Sequence, residues 1–404
     1  MHEANLTRFG PERCEGPGSI SGSFKAIDGD AKIILSHTLG GQVNITLNGE
    51  ELKVPTLNGD VKTELAIRLA GENTISVSSG ADQGMLELRI TQITQADLRL
   101  QRQGYFGLNT SDMESQRGFY KLLGFKGEIY PAGPETSQTF AQALGFEDDY
   151  LIYVSLHSLQ DPPEMPFVDT VQFRDASYRE EPPYAHLNHI GMAYATYSTT
   201  DLDGDYTFLQ EHGVDFLSSP AQAPDGERFV FFKEQDGAFI KLVDAPNGGV
   251  SSKHPNLVRL VNTNMNVRDL ERSREFYRLL GFSESVENSQ AGEGEFAQAH
   301  GFDEPIAYTG MDVSLGEGTD GATLQLRQWQ TPYDDESPYP PPVNHLGIDR
   351  INFYVENVNE TVRIMNELGF EQLGPIGGPP EIGIVFFFDP DGIKVQFAGP
   401  RGET

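Results

Sequence analysis

A chain of 404 residues with 38% hydrophobic and 10% aromatic residues is long enough for two or three domains, each with a buried core. Its formal charge of −31 repels phosphate backbones and anionic bilayers, and no apolar run approaches the ~18 residues of a membrane helix, so neither nucleic acid nor a membrane is an expected partner. The single cysteine, Cys14, excludes an intramolecular disulfide and a cysteine-built zinc cluster.

Met1-His2-Glu3-Ala4-Asn5 shows no basic region followed by an apolar stretch, so a cytoplasmic location is expected, with a secreted or periplasmic one as the alternative if a leader has been removed. Residues 1–98 read as all-β. Val43 to Leu47 alternates and runs into Asn48-Gly49, Leu57-Asn58-Gly59-Asp60 repeats that turn chemistry, and Met85 to Ile90 alternates again. Short strands at this spacing predict a sandwich. The run Leu69-Ala70-Gly71-Glu72-Asn73-Thr74-Ile75 resembles jelly-roll accessory modules that bind carbohydrate, which implies a sugar as a partner of this region. Phe9 and Phe24 are the only aromatics before Tyr105, so a structural or dimer-forming sandwich is the competing expectation, and monomer and homodimer both stay open.

From about residue 100 onward the chain is one pattern written twice. Phe119 to Phe125 returns as Phe276 to Phe282, Phe140-Ala141-Gln142-Ala143 as Phe296 to Ala299, Asn188-His189-Ile190-Gly191 as Asn344-His345-Leu346-Gly347, and Asp236-Gly237 as Asp391-Gly392. The offset stays between 155 and 157, which predicts two tandem domains, 99–248 and 249–404, behind the sandwich of 1–98. Each half holds two smaller units: a strand, a polar helix cap (Asp112, Asp201, Asp269, Asn357), an amphipathic helix ending at glycine (Gly124, Gly213, Gly281, Gly369), and three more strands. The predicted class is α+β, with four βαβββ units paired two by two around clefts. Pro-rich crossovers are expected at Tyr178–Tyr184 and Thr331–Pro342, and a hinge at Pro246–Pro255.

This pattern resembles the vicinal-oxygen-chelate superfamily, which includes glyoxalase I, extradiol dioxygenases, bleomycin-resistance proteins and methylmalonyl-CoA epimerase. The residues that carry the resemblance are Arg268 to Phe282 and Phe388-Asp389-Pro390-Asp391-Gly392-Ile393-Lys394-Val395-Gln396-Phe397. It implies four cleft-facing positions per domain, held by His, Glu or Gln in metal-dependent members. Spacing from the helix caps and Asp-Gly turns, and where that turn is missing the matched strings Thr170-Val171-Gln172-Phe173-Arg174 and Thr323-Leu324-Gln325-Leu326-Arg327, puts Tyr105, Gln172, Tyr194 and Lys241 there in the first domain, and Asn262, Gln325, Arg350 and Gln396 in the second. None is His, Asp or Glu, so no cofactor is expected.

The expected function is therefore that of a superfamily lyase or isomerase working on a small oxygenated molecule, carbohydrate-derived ones included, without the usual metal. Lys241 would move the proton while Tyr105 and Tyr194 stabilise an enolate, with Gln172, Asn262, Gln325, Arg350 and Gln396 as binding residues. Two alternatives stand beside it. One is a non-catalytic sequestering protein of bleomycin-resistance type; the other is a lyase or dioxygenase holding Fe, Mn, Ni or Zn on His189 and His345. The bland reading of those two histidines is that they bond backbone carbonyls at the unit entrance, and that His157 and His300 lie at the surface or rim.

Overall fold

The computed structural model describes residues 2–14, 18–26, 29–37, 43–54, 61–79, 84–129, 135–136, 138–147, 151–173, 185–245, 255–285, 287–315, 322–334 and 342–402. The two Pro-rich crossovers and the hinge lie wholly or largely outside them. By its internal contacts the chain divides into two units, Met1–Asp97 with Arg278–Leu280, and Leu98–Tyr277 with Gly281–Thr404.

The first unit is a pair of four-stranded antiparallel sheets. One runs His2–Cys14, Gly84–Gln95, Gly29–His37, Val61–Leu69 in spatial order, and the other Gly18–Lys25, Glu72–Ser79, Val43–Leu47, Glu50–Leu52. Alternation does the work expected of it: Ile33, Leu35, Val43, Ile45, Ile75, Val77, Leu88 and Ile90 all point into one shared core. Asn48 and Gly49 both take positive φ, as the tight hairpin requires. The Gly71-Glu72-Asn73 corner is fixed by the buried Asn73, whose Oδ1 accepts from Ala70 N at 2.9 Å and from Asn48 Nδ2 at 2.8 Å.

The second unit contains the four repeats. Repeat 1 has β1 (Leu100–Asn109), α1 (Met113–Leu122), β2 (Leu151–Ser158) and β3 (Phe167–Phe173). Repeat 2 has β4 (Tyr194–Thr199), α2 (Leu202–Glu211), β5 (Arg228–Lys233) and β6 (Phe239–Asp244). Repeat 3 has β7 (Leu257–Asn266), α3 (Leu270–Leu279), β8 (Ile306–Leu315) and β9 (Thr323–Thr331). Repeat 4 has β10 (Gly347–Val355), α4 (Val358–Glu367), β11 (Gly383–Phe388) and β12 (Lys394–Gly399). The helices begin where the caps predict: Asp112 accepts from Glu114 N and Ser115 N, Asp201 from Gly204 N, and Asn357 from Glu360 N.

The pairing of repeats differs from the expected one. One sheet runs β2-β3-β1-β10-β12-β11, joining repeats 1 and 4, and the other runs β5-β6-β4-β7-β9-β8, joining repeats 2 and 3. Within each repeat the first and last strands are parallel, and the seams β1–β10 and β4–β7 are antiparallel. Repeats of one sequence half meet instead through their turns. Asp236 accepts from Thr110 Oγ1 at 2.5 Å and from Ser111 N at 3.0 Å, and Asp391 accepts from Ser273 Oγ at 3.1 Å and Arg268 N at 3.3 Å. The Asp-Gly motif that marks the duplication is thus a latch from one repeat onto the helix start of its neighbour.

A second acid in each turn is built in. Glu234 Oε1 accepts from Asp236 N and Ala238 N, and Asp389 Oδ1 accepts from Asp391 N and Ile393 N. Burial pushes both carboxyls up to about 7. Because the folded pKa lies above the unfolded one, the stabilisation is complete below about pH 4 and is lost as pH rises toward 7. We expect the double variant Glu234→Gln/Asp389→Asn, which keeps the accepting oxygens, to lose less thermal stability than the parent between pH 5 and 8 and to melt several degrees higher at pH 8, as calorimetry would record.

Candidate active site

Each sheet has one face, its cup, on which every second residue of the four central strands lines up. In the cup of repeats 1 and 4, Tyr105, Gly107 and Asn109 of β1 face inward beside Phe167 and Asp169 of β3, and Arg350, Asn352, Lys394 and Gln396 come from β10 and β12. A bulge at Asp349 lets that residue face the same way as Arg350. The result is a closed ion network. Arg350 meets Asp169 at 2.8 Å and Asp349 at 2.6 Å, donates to Asn109 Oδ1 at 3.2 Å, and Lys394 stands 3.7 Å from Asp349. Two cations balance two anions. Gln396 Nε2 donates to Tyr105 at 2.5 Å, and burial holds that phenol well above its ordinary pKa.

This network depends on Gly107. A methyl group there would lie 2.4 Å from the Arg350 side chain, so the guanidinium occupies the space a Cβ would take.

The cup of repeats 2 and 3 is different in kind. Tyr194 and Thr196 of β4, Lys241 of β6, Asn262 and Asn264 of β7, and Gln325 and Arg327 of β9 share its inner face, with Phe229 and Phe231 of β5 and Tyr308 of β8 as its walls. Tyr194 donates to Gln325 Oε1 at 2.8 Å, and Arg327 Nη2 donates to the same oxygen at 3.1 Å. The Arg327 guanidinium lies 3.8 Å over the Tyr308 ring and 5.5 Å from that of Tyr194. Lys241 Nζ sits 5.0 Å over Phe229 and 6.0 Å over Phe231, and pairs with the exposed Glu227 at the rim. Burial lowers the Lys241 pKa, and Glu227 partly offsets this. Burial also holds the Tyr194 and Tyr308 phenols up, so both stay protonated.

The structure therefore regroups the sequence-predicted positions. Tyr105, Arg350 and Gln396 are together in one cup, and Tyr194, Lys241, Asn262 and Gln325 in the other. Tyr105 is parted from Lys241 and Tyr194, and Gln172 is in neither cup. Its side chain lies on the helix face of β3, where Oε1 accepts from Met113 N at 3.3 Å at the start of α1. The same service at α3 comes from Gln328, which accepts from Leu270 N at 3.1 Å, so the partner of Gln172 is Gln328 rather than Gln325. The sequence carried the signal: Gln328 sits at the offset of 156 that the other matches share, whereas Gln325 breaks it. The true counterpart of Gln325 is Asp169 and that of Arg327 is Val171, so both Asp169 and Arg327 escaped the sequence reading.

His189 Nδ1 bonds the His186 carbonyl at 2.6 Å, and burial lowers its pKa to about 4. Its segment is held by Asn266, whose Nδ2 donates to Leu187 O and His189 O, both at 2.7 Å. Asn109 holds the His345 segment likewise, donating to Val343 O at 2.8 Å and His345 O at 2.7 Å. His157 and His300 are buried, not at the surface or rim: His157 stacks on Tyr120 at 4.9 Å, and His300 Nδ1 bonds Phe296 O at 2.9 Å. Trp329 walls the cup of repeats 2 and 3, with Nε1 donating to Asn266 Oδ1 at 3.1 Å. Among the described residues no three His, Cys, Asp or Glu side chains gather as a metal-binding group. The donor sets of the cups do not fit a divalent cation either, since one has both carboxylates neutralised by Arg350 and Lys394 and the other presents Lys241 and Arg327.

The sequence profile of the Glyoxalase/Bleomycin resistance protein/Dioxygenase superfamily matches residues 102–242 and 259–397. The chain belongs to this superfamily. It carries two tandem glyoxalase-type domains after its N-terminal all-β region. Glyoxalase I from Zea mays is 16% identical with a TM-score of 0.50, over 74% of this chain and 92% of that one. A putative dioxygenase from Bacillus subtilis is 10% identical with a TM-score of 0.46, over 75% of this chain and 86% of that one. A glyoxalase family protein from Bacillus cereus is 22% identical with a TM-score of 0.33, over 38% of this chain and 100% of that one. The maize likeness shows the glyoxalase fold. No curated protein matches the chain.

The ion network over Gly107 yields a direct test. Gly107→Ala should displace Arg350 and leave Asp169 and Asp349 short of their partner, costing about 3–5 kcal/mol in urea unfolding. Gly118→Ala, on the exposed face of α1 with nothing within 4 Å, should instead stabilise by about 0.5–1 kcal/mol.

Proposed function

We propose that this glyoxalase-superfamily chain is a lyase or isomerase whose working site is the cup of repeats 2 and 3, and that it moves a proton beside a carbonyl in a small oxygenated molecule without a metal. The observation that carries the reading is Lys241. It is buried on the inner face of β6, between aromatic walls, and its pKa is lowered by that burial. A neutral amine is thereby more accessible near neutral pH than at an exposed lysine, and a neutral amine can take a proton from carbon. Tyr194 lies on the next strand, and both side chains reach Phe231, the phenol ring at 5.0 Å and the ammonium at 6.0 Å. Its raised pKa keeps its hydroxyl a donor, the form that stabilises an enolate oxygen. Substrate would take the place of Gln325 on Tyr194 and of Glu227 on Lys241. Tyr105 has no part in this reading, because it lies in the other cup.

The Glu227 ion pair favours a second reading, a sequestering protein, since it holds the Lys241 charge in place. Turnover separates the two. In D2O with 2-oxo acids and hydroxycarbonyl compounds, proton NMR should show loss of carbon-bound hydrogen beside the carbonyl. The rate should rise with pH through the lowered Lys241 pKa, and Lys241→Met should cut it at least ~100-fold. Tight binding with no exchange would select the sequestering reading. Stoichiometric Fe, Mn, Ni or Zn in purified protein, with exchange lost on chelation, would replace the metal-free mechanism.

A further inference from the structure

Charge is distributed unequally between the two cups. In the cup of repeats 1 and 4, each cation touches a carboxylate. In the cup of repeats 2 and 3, Lys241 has Glu227, but Arg327 has no carboxylate within 4 Å among the described residues, and its Nη1 has no hydrogen-bond partner. Arg327 is 4% exposed. Asp312, across from Gln325 on β8, and Glu227 at the rim act on Arg327 electrostatically without a direct ion pair, and burial raises the Asp312 pKa. A buried guanidinium without a direct ion pair is costly to hold, and an anionic ligand that pairs with it would offset that cost.

The geometry around Arg327 is that of a preorganised receptor. Stacking on Tyr308 fixes the plane of the guanidinium, and Gln325 takes one Nη2 hydrogen, so an edge carrying Nη1 is left for a planar anion. Carboxylate matches that edge. Around it, the Asn262 Oδ1, Asn264 Oδ1, Thr196 Oγ1 and Thr323 Oγ1 atoms are buried without partners, all on strands that line this cup. The two amide oxygens can only accept, so they call for donors on the ligand, and hydroxyl groups are the donors that suit them.

We infer that the cup of repeats 2 and 3 takes a hydroxylated carboxylate, with Arg327 anchoring the carboxylate and Asn262 and Asn264 accepting from hydroxyls, and that one such ligand binds per chain because both cations of the other cup already hold carboxylates. This deepens the proposed function by naming the substrate class of the same site, and it rests on that site assignment.

Trp329, the only tryptophan, is 5.1 Å from Tyr308 and reports on the cup. Titration of the full chain with gluconate, glucose and acetate, followed by Trp329 fluorescence and calorimetry, tests the inference. Gluconate should bind at least tenfold more tightly than either glucose, which lacks the carboxylate, or acetate, which lacks the hydroxyls, with one site per chain. Arg327→Met should lose at least tenfold for gluconate and leave glucose unchanged, while Arg327→Lys should recover only part of the loss. Equal affinity for gluconate and glucose in the unaltered protein overturns the inference whatever the variants do, as does a second equivalent site. Binding of gluconate without isotope exchange in any hydroxy acid would sink the enzyme reading and leave this one standing, whereas exchange in neutral substrates alone would do the reverse.

Discussion

The architecture of the second unit turns on two asparagines. Asn109 ends β1 and bonds the carbonyls of Val343 and His345, and Asn266 ends β7 and bonds those of Leu187 and His189. Each fastens the strand entry of a repeat that is not its sequence neighbour within the same half. With repeat 1 tied to repeat 4 and repeat 3 to repeat 2, the antiparallel seams β1–β10 and β4–β7 follow, and with them the contents of both cups. The Asp-Gly latches complete the arrangement by joining repeats of the same half through helix starts rather than through sheets.

From one repeated frame the chain has made two unlike interiors. Corresponding positions hold Tyr105 and Asn262, Gly107 and Asn264, Asp169 and Gln325, Val171 and Arg327, Tyr194 and Arg350, Lys241 and Gln396. The first cup places its arginine over a glycine and surrounds it with acids, which satisfies its buried cations internally, although Asp169 Oδ1, Asn352 Oδ1 and Gln396 Oε1 stay without partners. The second places its arginine on a tyrosine ring, where the charge is held in position without a direct ion pair among the described residues. Buried ions need partners, and whether the partner comes from the protein or from solution divides a structural interior from a binding one.

Two of the sequence-predicted groupings failed for traceable reasons. Gln172 was matched to Gln325 because Thr170-Val171-Gln172-Phe173-Arg174 resembles Thr323-Leu324-Gln325-Leu326-Arg327, yet strand register aligns Gln172 with Gln328. A slip of three residues also turns a strand position to the opposite face, so the string match aims a helix-capping glutamine at the cleft. Tyr105 was joined to Lys241 because their repeats are adjacent in sequence. Four repeats of the same pattern pair equally well on paper, and only side chains such as Asn109 and Asn266 choose among the pairings.

Legible in the residues alone are the number of repeats, the strand, helix and closing strands of each, the hairpin at Asn48-Gly49, the helix starts at Asp112, Asp201 and Asn357, and the inward placement of Tyr105, Tyr194, Lys241, Asn262, Gln325, Arg350 and Gln396. Those features follow from local chemistry and short periods: capping oxygens, glycines at positive φ, and alternation of faces along a strand. The folded chain alone shows which repeats share a sheet, and that Arg350 is in direct ion pairs while Arg327 among the described residues is in none. Charge balance in a buried site is set by contacts between residues as far apart in sequence as Asp169 and Arg350, and no local pattern records those.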